Sequence, residues 1–192
     1  TQIVCSGADL SAAANSTLVS TSSATAAGSD SLGVLPRGQL GPLDWWHVQR
    51  APGVPVTLWQ VRANGVLTAH GLLWAGDAPD MRDSRVDAMR AAAQQLAAIA
   101  RGTTRLMGEQ GGPAGLGEVD SHITYWNALD TAVRSAQARG DDATTIAATL
   151  PGVDASRTTG TAHALNWQRA WRHAEDEALR PQPRASFQRS LR

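Results

Sequence analysis

The sequence predicts an α/β fold, because two stretches of the chain show contrasting apolar patterns. Between residues 43 and 75, short runs rich in β-branched and aromatic residues are separated by turn residues, which is typical of strands. From residue 84 onward, apolar residues recur at three- and four-residue spacing over long stretches, which is typical of amphipathic helices. The run "TTRLM" at 103–107 predicts one more strand between two helices.

The other strands are predicted in the first third of the chain. "LDWWHVQR" at 43–50 alternates as a strand does, and "APGVP" follows it with turn chemistry. "VTLWQVRANGVLTAHGLLWAG" then contains two β-rich runs joined by Ala63-Asn64-Gly65, and Asn-Gly between such runs is a strong hairpin signal. "TQIV" at the start is a further short β-branched run, and the Ser-, Thr- and Ala-rich residues 15–32 predict a loop.

Four helices are predicted in the remainder of the chain. The first covers 84–100, begins at a cap of Asp83 or Ser84 and stops at Gly102. The second covers 117–140, a shorter one covers "DATTIAATL" before Pro151, and the last covers "TAHALNWQRAWRHAEDEAL" at 161–179. The residues expected on the buried faces are Val86, Met89, Leu96, Ile99, Val119, Ile123, Trp126, Val133, Ala136, Trp167, Trp171 and Ala174.

Composition sets the limits on function. The 17 arginines balance 17 acidic residues, so no net field draws the chain to nucleic acid, and we expect no nucleic-acid partner. No apolar run reaches the ~18 residues of a membrane span. Cys5 is the single cysteine and excludes an internal disulfide. The last residues, "RPQPRASFQRSLR", carry no acidic side chain, so we predict one domain over 1–179 and a basic flexible tail over 180–192.

The stretch "RLMGEQGGPAG" at 105–115 is the most unusual loop of the sequence. A strand end leads to Glu109 and Gln110 and then into a glycine-rich turn. Glycine allows a backbone to approach another group closely, so such a loop is a candidate binding element. His70, in "VLTAHGLL", and Asp77, in "WAGDAP", are the other candidate ligands. Asp120 and His122 are close in sequence, but they are two positions apart on a helix and face different directions.

The order of these elements resembles the C-terminal half of metallo-β-lactamase-fold proteins. The resemblance covers residues 43–179 and depends most on "APDMRDS" and "NWQRAWRHAEDEAL"; it is greatest to the quinoprotein relay system zinc metallohydrolases. It implies part or all of an αββα sandwich with long C-terminal helices. It also implies a bacterial periplasmic location and a site for two zinc ions at one edge of the sandwich.

The zinc motifs of that family are altered in this chain. Relatives carry an H-x-H-x-D-H segment, which this sequence lacks. Where relatives have a later histidine, a bridging aspartate and a last histidine, this chain has Arg50, Gly71 and Glu109 or Gln110. An arginine repels a metal ion and a glycine offers no ligand, so His70, Asp77 and Glu109 are the remaining candidates. We interpret the site as a degenerate zinc site.

Two functional hypotheses follow, and the sequence leaves open whether the chain is an enzyme. In the first, it is a non-catalytic pseudoenzyme that needs no cofactor and acts as a binding or structural subunit. A protein partner, or an upstream part of the same polypeptide, then completes the sandwich. In the second, it is a zinc-dependent hydrolase of esters, thioesters or amides whose first-half ligands lie outside this chain. Trp45 and Trp46 are the candidate partner contacts, because adjacent strand residues face opposite ways and one can meet a surface. A third hypothesis is assembly through these tryptophans and the basic tail.

Overall fold

The computed structural model describes residues 37–103 and 105–180. The strand predicted at "TQIV", the loop at 15–32 and the tail from residue 181 lie outside these residues. Five strands are described: β1 Arg37–Leu40, β2 Leu43–Ala51, β3 Val54–Val61, β4 Val66–Thr68 and β5 Arg105–Met107. The same residues form three α-helices, α1 Val86–Ile99, α2 Leu116–Arg139 and α3 Thr161–Leu179, and 3-10 turns at Ala100–Gly102 and Ala155–Arg157.

The strands form one sheet in the order β1-β2-β3-β4-β5. β1 to β4 are successively antiparallel, and β5 runs parallel to β4. The hairpin predicted around Asn64-Gly65 is confirmed, since β3 pairs with β4 across it. β2, β4 and β5 therefore point the same way, and their carboxyl ends lie along one edge of the sheet. We call this edge, with the loops that follow it, the carboxyl edge.

The two faces of the sheet have different environments. On the inner face, Val48, Leu58, Leu67 and Leu106 form a buried cluster with residues of α1, among them Leu96. The outer face carries Trp45 opposite Trp59, and Val61 opposite Val66. These four residues are partly exposed and belong to neither buried cluster of the described residues. The helices thus cover one face of the sheet.

A second buried cluster lies between the helices. α2 and α3 contribute Tyr125, Trp126, Trp167 and Trp171, and the segment that precedes α1 contributes Trp74 and Met81. The helix periods predicted for α1, α2 and α3 are confirmed, with Ile99 and Ile123 only partly buried. No helix within the described ranges is both long enough and apolar enough to cross a membrane.

The cap predicted for the first helix is wrong. α1 begins at Val86 with Arg85 as its N-cap residue, and no side chain caps it. Ser84 is fully buried, and its hydroxyl donates instead to the backbone carbonyl of Arg50 at the end of β2. A long-range bond to the sheet has therefore replaced the local cap that the sequence pattern indicated.

The helix predicted at 142–150 is also wrong, since these residues form turns and irregular structure. The Asp142 carboxylate accepts bonds from the backbone and hydroxyl of Thr144, which favours a turn. Side chains from outside the segment donate to its backbone carbonyls, and Trp167 Nε1 donates to that of Ala143. Thr158 donates to Ala148. Those carbonyls are consequently satisfied without a helix.

Candidate functional site

The carboxyl edge brings together the loops that the sequence marked as candidates. Residues 69–76 follow β4 and residues 108–115 follow β5. Their backbones pair directly, because Glu109 N–H donates to the Leu73 carbonyl at 2.8 Å and Ala75 N–H donates to the Gln110 carbonyl at 3.0 Å. The two loops are thereby held as a continuation of the β4–β5 pair beyond the strands.

The glycines of the second loop are required by this close approach. A Cβ on Gly108 would lie 2.4 Å from the Leu73 carbonyl oxygen. A Cβ on Gly111 would lie 2.5 Å from the Ala75 carbonyl oxygen, and Gly111 also has φ +84°. By contrast, nothing lies within 4 Å of a Cβ placed on Gly112. Gly108 and Gly111 therefore allow the loop at residues 73–76 to pack closely, and this packing explains the glycines without a bound ligand.

Glu109 is the acidic side chain at the centre of this edge. The guanidinium of Arg82 donates through Nη2 to Glu109 Oε1. The imidazole Nε2 of His70 is 3.9 Å from Glu109 Oε2, an oxygen that is inaccessible and has no hydrogen-bond partner. His70 lies in a turn after β4, and its side chain is 75% exposed.

Arg82 is held in place by contacts on several sides. Its guanidinium carbon lies 5.7 Å from the centre of the Trp74 ring, a cation–π distance. Its backbone N–H donates to Asp80 Oδ1 at 2.9 Å, and its Nε lies 3.5 Å from Asp80 Oδ2. Its φ of 49° is in the left-handed region, where a non-glycine residue costs about 1–2 kcal/mol. The surrounding contacts therefore hold a strained residue so that it faces Glu109.

A cavity of about 250 Å³ opens beside this pair. Trp74, Asp77, Arg82, Glu109 and Gln110 contribute to its walls. Asp77 and Glu109 thus line one space, but Asp77 is exposed and its backbone carbonyl accepts from Arg157 Nη1 at 2.5 Å. Asp77 is therefore a turn residue that is held by a hydrogen bond to its backbone carbonyl.

Two other positions singled out by the zinc motifs carry no metal ligand. Gly71 has φ +78°, and a Cβ there would meet only Val56, at 3.8 Å. Arg50 lies at the end of β2, and the residue is only 8% exposed. Over the described ranges, no group of three or more His, Cys, Asp or Glu side chains could hold a metal ion. The residues present here, with one guanidinium already on Glu109, do not fit a zinc site.

Sequence reasoning missed a buried charged cluster next to this edge. Glu118 Oε1 accepts from Gly76 N–H at 3.0 Å and from Arg157 Nη2. Burial alone would raise the pKa of Glu118, but the bonds from Arg157 and Gly76 outweigh it and hold that pKa below its usual range. His122, four residues on, has its two ring nitrogens 3.3 Å and 3.1 Å from the carbonyls of Leu72 and Trp74. Burial lowers the pKa of His122.

A second polar network, also unforeseen, lies between the helices. Asn166 Nδ2 donates to the Pro79 carbonyl at 2.6 Å and to the Tyr125 hydroxyl at 3.0 Å. The hydroxyl then donates to His163 Nδ1, and His163 Nε2 donates to the Ala147 carbonyl, each at 3.0 Å. This arrangement requires a neutral His163 whose proton is on Nε2, because Nδ1 must accept from the hydroxyl. Burial lowers the pKa of His163, which favours this neutral form. Neither network showed a local sequence signal, because each depends on a contact between distant residues: Glu118 with Arg157 in the first and Tyr125 with His163 in the second.

Comparison with solved structures places the fold. The stereoselective inverting sec-alkylsulfatase Pisa1 from Pseudomonas sp. superposes with a TM-score of 0.53 over 78% of this chain, at 13% sequence identity. The likeness shows the fold. The described sheet with helices on one face corresponds to part of the αββα sandwich of metallo-β-lactamase-fold proteins, so the predicted fold class is confirmed.

Other neighbours are metallo-β-lactamases. One from Erythrobacter litoralis matches at 15% identity with a TM-score of 0.39 over 46% of this chain. One from Pontibacter korlensis matches at 9% identity with a TM-score of 0.40 over 50% of this chain. The chain spans 40% and 47% of the length of these two proteins, and 28% of the alkylsulfatase. No protein-family model matches the sequence, and no curated protein sequence matches it.

Proposed function

We propose that this chain is a non-catalytic member of the metallo-β-lactamase fold that acts as a binding or structural subunit. The observation that supports the proposal most directly is the pairing of Arg82 with Glu109. The Arg82 guanidinium has only hydrogen-bond donors and a fixed positive charge. It therefore occupies the carboxylate that a metal ion would need as a ligand, and it repels a cation at this position. Within this proposal, the kinship to quinoprotein relay proteins and the periplasmic location follow from the resemblance.

The surface proposed for binding is the outer face of the sheet. Trp46 faces inward and packs against the core, whereas Trp45 faces outward beside His47, with 4.8 Å between the ring centres. Among the described residues, Leu40 and Met107 are also exposed on or beside this face, at 41% and 39%. A two-sided sheet gains stability when such an apolar face is covered. A partner chain, or an upstream part of the same polypeptide, is the proposed cover.

This surface can be tested with Trp45→Glu in the protein purified from its source. The introduced charge should prevent the covering segment from packing on this face. If a partner chain covers the face, the variant should lose that chain in analytical ultracentrifugation. If an upstream part of the same polypeptide covers it, the variant should be less stable to urea. Leu165→Glu is the matched control, since Leu165 is an apolar residue of α3 that is 43% exposed. If Trp45→Glu changes neither measurement more than the control does, the binding surface is elsewhere.

The competing hypothesis is the zinc-dependent hydrolase. The 3.9 Å separation of His70 and Glu109 is the observation that favours it, because an imidazole and a carboxylate are zinc ligands. It predicts zinc-stimulated hydrolysis of ester, thioester or amide probes that Glu109→Ala abolishes. Our proposal predicts no zinc-stimulated hydrolysis in either form. Asp120→Ala, which removes an exposed carboxylate outside the carboxyl edge, is the control for an unspecific effect of lost charge.

A further inference from the structure

The strand register defines which residues face outward from the sheet, away from the helices. Trp45 pairs with Gly38 on β1 and with Trp59 on β3. Trp59 pairs with Thr68 on β4, and Thr68 pairs with Met107 on β5. Residues directly opposite each other in a sheet share a face, so this row crosses all five strands on the outer face. The outer face is therefore one connected surface.

Gly38 makes this surface more level. A Cβ placed on Gly38 would lie 2.7 Å from three atoms of the Trp45 indole, so the ring occupies the space that a side chain at position 38 would fill. The backbone of Gly38 is not in the left-handed region, so its conformation does not require glycine. The Trp45 ring therefore leans across the neighbouring strand instead of projecting straight out from the sheet.

Polar groups of the outer face are paired with one another. The Thr57 hydroxyl lies 3.0 Å from His47 Nδ1, and the Thr68 hydroxyl oxygen accepts from the Trp59 backbone N–H at 3.2 Å. Among the outward-facing positions of the described strands, Arg105 on the edge strand β5 is the one with a fixed charge. Paired polar groups and an uncharged centre can be buried at little cost in hydration. The face is thus suited to an apolar partner and not to a charged one.

The size of the face suits a second copy of this chain. β2 has 9 residues and β3 has 8, so they are roughly 25–30 Å long, and five strands span about 20–24 Å. Leu40 on β1 and Met107 on β5 are among the most exposed large apolar residues described, so the apolar surface reaches both edges. Two such faces in contact would bury on the order of 1,000–1,400 Å², near the lower end of the range for stable interfaces.

We propose that two copies of this chain pack outer face to outer face and form a symmetric two-sheet sandwich. The inference rests on the proposed function, because it names the partner that covers the outer face. An uncharged face offers no charge pattern that would select a different protein. A second copy presents an apolar face of the same size, and in a two-fold dimer both copies use the same patch. Homodimer interfaces are also the more apolar class of interface.

Analytical ultracentrifugation of the unaltered full protein tests the dimer without any substitution. Over about 1–100 µM, monomer should convert to a species of twice its mass, and Tm should rise with concentration because association stabilises the folded state. A protein that stays monomeric over this range, or that grows beyond two copies, would overturn the proposal. The proposed function would still stand in the monomeric case if Trp45→Glu released a different chain or lowered stability to urea.

Gly38→Ala tests the shape of the surface without adding a charge. The new methyl group takes the space of the Trp45 ring, so the ring must rise from the sheet, and the dissociation constant of the dimer should increase at least about tenfold. Gly112→Ala is the matched control, because its Cβ meets nothing within 4 Å, and it should change that constant by no more than about twofold. Equal dissociation constants in the two variants would overturn the proposed contact.

A direct readout does not depend on the folding of these variants. In NMR spectra of a dimer assembled from one isotope-labelled and one unlabelled copy of the unaltered protein, ring protons of Trp45 and Trp59 should show nuclear Overhauser effects to the other copy. Effects between copies that involve only helix residues, such as Leu165, would overturn the assignment even if the protein is a dimer.

Discussion

Arg82 and Glu109 form an ion pair that joins the segment before α1 to the loop after β5. The two side chains are 35% and 17% exposed, and the residues are 27 positions apart in the sequence. The family resemblance would place a zinc ligand at Glu109 or Gln110, and the partner of Glu109 in this chain is a guanidinium. One oxygen of the carboxylate at the centre of the candidate site, Oε1, is thus paired from within the protein, whereas Oε2 has no hydrogen-bond partner.

Truncating Arg82 should show how much this pair contributes. Arg82→Ala leaves Glu109 without its hydrogen-bond donor, so we expect a loss of about 1–3 kcal/mol in the free energy of unfolding by urea. Arg82→Gly removes the same side chain but relieves the backbone at φ 49°, so it should be less destabilising than Arg82→Ala by about 1 kcal/mol. If the alanine variant is the more stable of the two, the left-handed backbone of residue 82 is not a feature of the protein in solution.

The glycine-rich loop gives a prediction with an internal control. Gly111→Ala introduces a Cβ 2.5 Å from the Ala75 carbonyl oxygen at a positive φ, so it should destabilise the protein by about 2–4 kcal/mol. Gly112→Ala meets nothing within 4 Å and should change stability by no more than about 0.5 kcal/mol. Urea unfolding measures both. Equal effects at the two positions would contradict the close packing of residues 108–111 on residues 73–76.

The protein should lose stability in mild acid. Burial lowers the pKa of His122 and of His163, so below about pH 6.5 the unfolded chain binds protons that the folded chain does not. Their contribution is therefore fully present above the unfolded pKa and is lost as pH falls towards the folded values. Glu118 adds a loss at lower pH, because its folded pKa lies below 4.5 and its carboxylate must then be protonated.

Free energies of unfolding at pH 7.5, 6.5 and 5.5 measure this dependence. They should decrease in that order, and His163→Gln should show a smaller decrease than the unaltered protein because one buried imidazole is gone. A stability that is constant or rises towards pH 5.5 is incompatible with two neutral, buried imidazoles.

The Tyr125 hydroxyl links Asn166 to His163, so its removal should be costly. Tyr125→Phe leaves a buried donor of Asn166 and the Nδ1 acceptor of His163 without their partner, and we expect a loss of about 1–3 kcal/mol. Thr131→Val is the control, because its hydroxyl bonds Asn127 at an exposed position and its loss should cost about 0.5 kcal/mol or less. Similar losses in the two variants would argue against a continuous network.

Periodicity predicted most of the fold because the long helices and the hairpin are encoded locally. α2 and α3 bury Trp126, Trp167 and Trp171 at helical spacing, and Asn64-Gly65 lies in the turn between β3 and β4. β1 was not predicted, because Arg37–Leu40 does not alternate between apolar and polar residues and contains Gly38. A Cβ on Gly38 would lie 2.7 Å from the Trp45 ring, so this strand owes its composition to the aromatic residue across from it.

The errors share one physical cause, which is competition from residues distant in sequence. Residues 142–150 form no helix, because side chains of Trp167 and Thr158 donate to their backbone carbonyls. Ser84 donates to a carbonyl at the end of β2 instead of capping α1. At the candidate site, the sequence identified Arg50 and Glu109 as altered positions. It could not reveal that Arg82 contacts Glu109, because that contact depends on how the loops meet.

The zinc content of the full protein is the most direct test of the central claim that this carboxyl edge is not a metal centre. The protein would be incubated with an equimolar amount of zinc, desalted and measured by mass spectrometry of the metal, beside Glu109→Ala. We expect far less than one zinc per chain, with no difference between the two forms, because Arg82 already occupies the carboxylate. Nearly one zinc per chain, lost in Glu109→Ala, would contradict the account and favour the hydrolase.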